Sequence, residues 1–130
     1  MKYVLLIYGP EVDPSTISPE EVTAEMDAYE SFTQHLRERQ ANLGGEALEP
    51  TSTATTVRVR DGQLQTTDGP YVETKEALGG FYLVEAKDLD EAIDFASRIP
   101  GAANGAIEVR PVMEFPEEYS ASATPAAAAG

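Results

Sequence analysis

The residues best placed to do chemistry lie in one short segment, Asp68-Gly69-Pro70-Tyr71-Val72-Glu73-Thr74-Lys75-Glu76. A carboxylate held at a cavity mouth could act as a base or anchor a ligand. Lys75 could pair with Asp68 or Glu73, or bind an anionic substrate. Each residue also has a plainer reading. Asp before Gly-Pro is a routine turn residue that caps its own backbone, and exposed charges most often do nothing specific. Arg58 and Arg60 alternate with Val57 and Val59; they solvate the surface if exposed, and could bind a carboxylate if their face lines a cavity. Tyr8 and Tyr82 read as core aromatics with hydroxyls at the rim, or as ligand-facing groups. The candidate ligand-binding set is therefore Asp68, Glu73, Lys75, Arg58 and Tyr82, with Asp68 the candidate catalytic carboxylate.

The chain has one histidine, His35. At about 100° per residue, it lies roughly 120° from the centre of the apolar stripe of its helix, which predicts a solvated side chain. No Ser-His-Asp set, HExxH or metal-ligand cluster occurs, and Gly79-Gly80 matches neither a phosphate loop nor a dinucleotide fingerprint. That pair reads as a β-bulge. No cofactor or metal is expected.

Bulk properties narrow the function classes further. The length of 130 residues fits one domain that needs no metal or disulfide to fold. The absence of cysteine removes disulfides and thiolate chemistry and is compatible with a reducing cytoplasm. A net charge of −14 repels phosphate backbones and anionic lipids, so neither nucleic acid nor membrane is an expected partner. The first apolar run, Tyr3–Tyr8, is stopped by Gly9-Pro10; it is too short for a membrane span, and no signal peptide is recognisable. A cytoplasmic location is expected.

The elements that must position these residues follow from periodicity. Lys2–Tyr8 is continuously apolar, as for a central strand. Ser18 caps a helix with Pro19 in its first turn and Glu21 completing a capping box. Val22, Met26, Tyr29, Phe32 and Leu36 form its stripe, and Gly44-Gly45 is read as its end. Thr55–Arg60 alternates and leads into Asp61-Gly62, a strong hairpin signal, which would set Val59 opposite Leu64 and Arg58 opposite Gln65. Thr67-Asp68-Gly69-Pro70 reads as a second turn and Phe81–Val84 as another central strand. Asp88 caps a second helix with a buried stripe of Leu89, Ala92, Ile93 and Ala96. Ala106–Met113 alternates, and Pro111 suggests an edge position or a strand end. The Ser/Ala/Pro-rich stretch 119–130 reads as a disordered tail, leaving residues 1–118 as the domain. The order is β-α-β-β-α-β with an extra hairpin arm. Right-handed crossovers make it an α+β, ferredoxin-like split βαβ with both helices on one face. The other face would expose apolar residues, and pairing two such faces gives a homodimeric α+β barrel.

The segment Asp68–Tyr82 closely resembles the signature of the DGPF group of YCII-related proteins. Met1–Gly9, Thr53–Arg60 and Asp88–Pro100 with Ile107–Pro111 resemble the same family, so the likeness covers about residues 1–115. Tyr71 departs from the Phe that the group's name implies. The resemblance implies the dimeric α+β barrel but no established activity. Related proteins have been suggested to be enzymes using a His–Asp pair, and similar proteins are associated with extracytoplasmic-function sigma factors. Two functions follow as expectations. One is a small-molecule site in the barrel cavity, enzymatic in the isomerase or lyase style. The other is an accessory protein whose acidic run, Glu11 to Glu30, meets a basic partner such as a sigma factor.

Overall fold

The computed structural model describes residues 1–118; the predicted tail, 119–130, lies outside them. Strand β1 (Lys2–Gly9) is followed by helix α1 (Pro19–Glu38) and strand β2 (Asn42–Ala47). The hairpin β3 (Thr55–Arg60) and β4 (Gln63–Asp68) precedes β5 (Ala77–Glu85), α2 (Leu89–Ser97) and β6 (Ala106–Pro111). The main sheet is antiparallel in the order β2-β5-β1-β6, and β3-β4 form a separate two-stranded ribbon. Each helix thus connects two strands that have a third between them. This is the ferredoxin-like split βαβ, an α+β fold.

Register divides the sheet into two faces. Tyr3 lies opposite Val84 and Pro111, Leu5 opposite Tyr82 and Val109, and Ile7 opposite Gly80 and Ile107. Of these, Tyr3, Leu5, Ile7, Tyr82, Val84, Ile107 and Val109 face the helices and pack with Phe32, Leu36, Ala92, Phe95, Ala96 and Ile99 into one core. The alternate residues Val4, Leu6, Phe81 and Leu83 lie on the opposite face, which no helix covers, flanked by Glu46, Glu108 and Arg110. Gly79 is the extra residue of a bulge, since Ile7 pairs with Gly80 and Tyr8 with Leu78.

The local signals act largely as their chemistry dictates. The Ser18 hydroxyl accepts the Glu21 N–H at 3.1 Å. The Glu21 carboxylate takes the Ser18 hydroxyl proton at 3.2 Å instead of the backbone N–H of a full capping box. At α2, Asp88 accepts the Glu91 N–H while Glu91 accepts the Lys87 N–H, both at 2.9 Å. The Asp61-Gly62 turn has positive φ at both residues, as a type I′ turn requires, and pairs Val59 with Leu64 and Arg58 with Gln65.

Three expectations need correction. Helix α1 ends at Glu38, closed by Gln40 in the left-handed conformation (φ 56°) with the Ala41 N–H on the Leu36 carbonyl. Gly44-Gly45 instead belongs to β2. A Cβ on Gly45 would stand 2.5 Å from the Phe81 carbonyl oxygen, so glycine there serves close strand approach and not helix termination. The helix stripes are also narrower than predicted. Val22 and Met26 are 43% and 67% exposed, and Leu89 and Ile93 are each 49% exposed. The α2 side chain that fills the core is Phe95, 2% exposed. Finally, Thr67 and Asp68 remain in β4, β5 starts at Ala77 ahead of Gly79-Gly80, and β6 stops at Pro111 on the sheet edge, leaving Met113 exposed.

Candidate functional site

The segment between β4 and β5 passes the end of the sheet where β1 finishes and β6 begins. On one side of it lies an open depression of about 630 Å³ lined by Tyr8, Thr74, Lys75, Glu76, Ala106, Ile107 and Glu108. On the other lies a smaller one of about 340 Å³, whose lining includes Thr51, Gly69, Pro70, Val72 and Glu73. Backbone geometry explains why the segment settles there. Gly69 adopts φ 106°, a conformation that favours glycine. Its N–H bonds the Ala54 carbonyl at 2.8 Å and its carbonyl accepts the Thr56 hydroxyl at 2.8 Å. Near the other end, the Thr74 hydroxyl donates to the Glu76 carbonyl. The floor of the smaller depression is tied to the loop after β1 by Glu11, whose carboxylate accepts the Thr51 hydroxyl and, at 2.8 Å, the Thr51 N–H. Those bonds hold its pKa below the ordinary carboxylate value.

The candidate residues are distributed over distinct environments. Lys75 lines the larger depression and Glu73 the smaller. Among the described residues the Lys75 ammonium has no carboxylate partner, whereas Glu108 pairs with Arg110 at 3.4 Å. Asp68 is the last residue of β4, opposite Thr55. Its carboxylate has no hydrogen-bond partner among the described residues, so it does not cap the turn. Gly69 and Thr56 close that turn instead. Arg58 stands on the ribbon with its guanidinium 5.0 Å from the centre of the Tyr71 ring, a cation–π contact worth about 0.5–1 kcal/mol at an exposed site. The extra hydroxyl of Tyr71 leaves the ring face free for this contact. Tyr82 faces the helices, edge-on to Phe32 at 4.9 Å, with its hydroxyl 3.1 Å from that of Thr33.

Sequence reasoning passed over Glu108 and Thr51 as lining residues. Glu108 sits on the polar side of an alternating strand, which on sequence alone reads as solvent-facing; only its position opposite Leu6 puts it on the open sheet face. Thr51 carried no signal. The arrangement can do a limited set of things chemically. It offers an unneutralised ammonium, a phenolic hydroxyl and carboxylates around a partly apolar wall. Such a set can bind an anion and move a proton. No cluster of three or more His, Cys, Asp or Glu suited to a metal ion occurs among the described residues. No helix among them is long and apolar enough to cross a membrane.

Known proteins provide the wider context. An uncharacterised protein of Rhizobium meliloti (strain 1021) is 41% identical over 118 residues, covering 88% of this chain and 94% of its own. Among solved structures, a 5-chloro-2-hydroxyhydroquinone dehydrochlorinase of Burkholderia phenoliruptrix AC1100, in complex with 2,5-dihydroxybenzoquinone, matches 88% of this chain and 96% of its own. That match has a TM-score of 0.45 and 16% identity, a level that carries no activity across. A family model described as the YCII-related domain spans residues 1–116 of this sequence, and the chain belongs to that family.

Proposed function

We propose that this protein binds a small anionic molecule beside Lys75, and turns it over by proton transfer of the isomerase or lyase kind. The observation that carries the reading is the Lys75 ammonium, lining a depression with Tyr8, Glu76 and Glu108 and without a carboxylate partner among the described residues, in a chain of net charge −14. In this reading Lys75 holds the anion, Tyr8 and the carboxylates exchange the proton, and Asp68 stays outside the contact. A chain without cysteine suits the reducing cytoplasm in which we place it. The test is a thermal-shift and calorimetric screen against small hydroxy- and keto-acids. Wild type is expected to bind at least one. Lys75→Met is expected to bind it about 10–100-fold more weakly, the loss of one charge-assisted hydrogen bond, while Asp68→Asn keeps full affinity. Undiminished binding by Lys75→Met overturns the assignment.

The same proposal includes a homodimer, in which a second copy covers the open sheet face and deepens the depression into a barrel cavity. Val4, Leu6, Phe81 and Leu83 provide a continuous apolar face, and a stable dimer needs about 800 Å² from each partner. Sedimentation at micromolar concentration is expected to give twice the 14.0 kDa chain mass, and Leu83→Glu is expected to give monomer. A wild-type monomer ends the barrel reading.

A second reading, as accessory protein to a basic partner such as an extracytoplasmic-function sigma factor, draws support from Val22 and Met26. Both are exposed on α1 beside Glu21 and Glu25. A pull-down against an extracytoplasmic-function sigma factor, with Met26→Glu as the variant expected to lose capture, tests it.

A further inference from the structure

His35 lies on the seam between the C-terminal half of α1 and the outer side of α2, away from the depression and from the open sheet face. Its ring is edge-on to Phe95, with centroids 6.1 Å apart. Nδ1 stands 3.0 Å from a guanidinium nitrogen of Arg39, which also donates to the His35 carbonyl at 3.3 Å. Guanidinium stays protonated and can only donate. Nδ1 is therefore the acceptor, and the proton of the neutral ring sits on Nε2. That nitrogen is buried and has no hydrogen-bond partner. So the prediction of a solvated histidine fails, because the ring leans over α2 and Phe95 fills the space beneath it.

From this geometry we propose that His35 is an acid-sensitive latch: the neutral ring closes the α1–α2 seam, and protonation opens it. A second proton must go to Nδ1, where it meets a guanidinium donor at 3.0 Å. Arg39 is its neighbour at the C-cap of α1, and Arg98 acts on it from the C-cap of α2. Opposing these are Asp94 on α2, already engaged by Arg98 at 3.0 Å, and Glu38 on α1. Burial is the largest influence and lowers the His35 pKa; Arg39 and Arg98 lower it further, and Asp94 and Glu38 offset part of this. The charged ring can be solvated only by leaving Phe95, which loosens the last turns of α1. Immediately beyond that turn, the Ala41 carbonyl accepts the Glu85 N–H at 2.9 Å, so the latch abuts the link from helix to sheet.

The sign follows from linkage. The folded pKa lies below the unfolded value, so stability is complete above pH 6.5 and falls on acidification from there down to the folded pKa. Glu11, Asp13 and Asp94 also have lowered values, but their contributions are lost only near and below the unfolded carboxylate values of about 4. The His35 loss therefore begins at higher pH than theirs. Because the chain has one histidine, its C2 proton can be followed without assignment ambiguity. Its NMR titration is expected to have a midpoint below 6.5, and the Phe95 ring signals are expected to shift with the same midpoint. The melting temperature is expected to fall between about pH 7.5 and pH 5 in wild type, and to fall less in His35→Gln. Arg39→Met, which leaves the ring in place, is expected to raise the midpoint. A wild-type midpoint at or above 6.5, Phe95 signals that do not move, or an unchanged midpoint in Arg39→Met each overturns the latch. The titration stands even if His35→Gln does not fold.

Discussion

Phe95→Ala is expected to remove about 3–5 kcal/mol of stability, the range for truncating a buried phenylalanine. Phe95 is 2% exposed and sits where α2 meets the core beneath His35, in contact distance of one helix and the sheet that both helices cover. Burying such a side chain contributes about 1.5–3 kcal/mol by transfer alone. The remainder comes from the void, because Leu36, Val84 and Ile99 around it are themselves fully buried and cannot relax into the space. Urea unfolding at neutral pH measures the effect as a drop in midpoint with little change in slope. Ile93→Ala, on the same helix but 49% exposed, serves as the comparison and is expected to cost under about 1 kcal/mol. Equal losses in the two variants contradict the placement of α2.

Gly105→Ala is expected to be the next most damaging change. A Cβ there would stand 2.1 Å from the Tyr8 carbonyl oxygen and 3.0 Å from Gly9 Cα. Both are backbone atoms, so no side chain can swing aside. Relief requires moving the end of β1 or breaking the Gly105 N–H bond to the Gly101 carbonyl, 2.9 Å long. Overpacking of this kind costs about 1–3 kcal/mol and sometimes more. Gly9→Ala provides the control, since a Cβ at Gly9 meets nothing within 4 Å. Its stability is expected to be unchanged or raised by up to about 1 kcal/mol through the stiffer unfolded chain. Calorimetry on the pair separates a steric cause from a general intolerance at this end of the sheet. Because Tyr8 and Ala106 line the larger depression, Gly105→Ala should also weaken any ligand bound there.

Much of this architecture is decided locally. Ser18 and Asp88 start helices because a side-chain oxygen next to an apolar periodic run satisfies the first free N–H groups. Asp61-Gly62 makes a hairpin in a set register because two residues with positive φ match the twist of the flanking strands. Gly79 marks a bulge, as an isolated glycine within a strand often does. Capping, turn type and alternation operate over a few residues, so the chain alone determines them, and with them both helices, the hairpin and the strands β1, β5 and β6.

What β2, Phe95, Lys75 and His35 do depends on neighbours remote in sequence. Asn42–Ala47 contains no strong strand former and becomes a strand because β5 offers it an edge that glycine can approach. The stripes of α1 and α2 each present more apolar residues than the sheet can cover, so crossing geometry selects Phe95 over Ile93 and leaves Met26 in solvent. Asp68 and Lys75 are seven positions apart, yet one ends a ribbon and the other enters a depression, since the chain turns at Gly69 between them. His35 has an outward helical phase and an inward ring, because the C-terminal half of α1 lies against α2 and the space above Phe95 admits an imidazole. Periodicity specifies a direction from a helix axis; whether water or another helix stands in that direction is settled only when the elements pack.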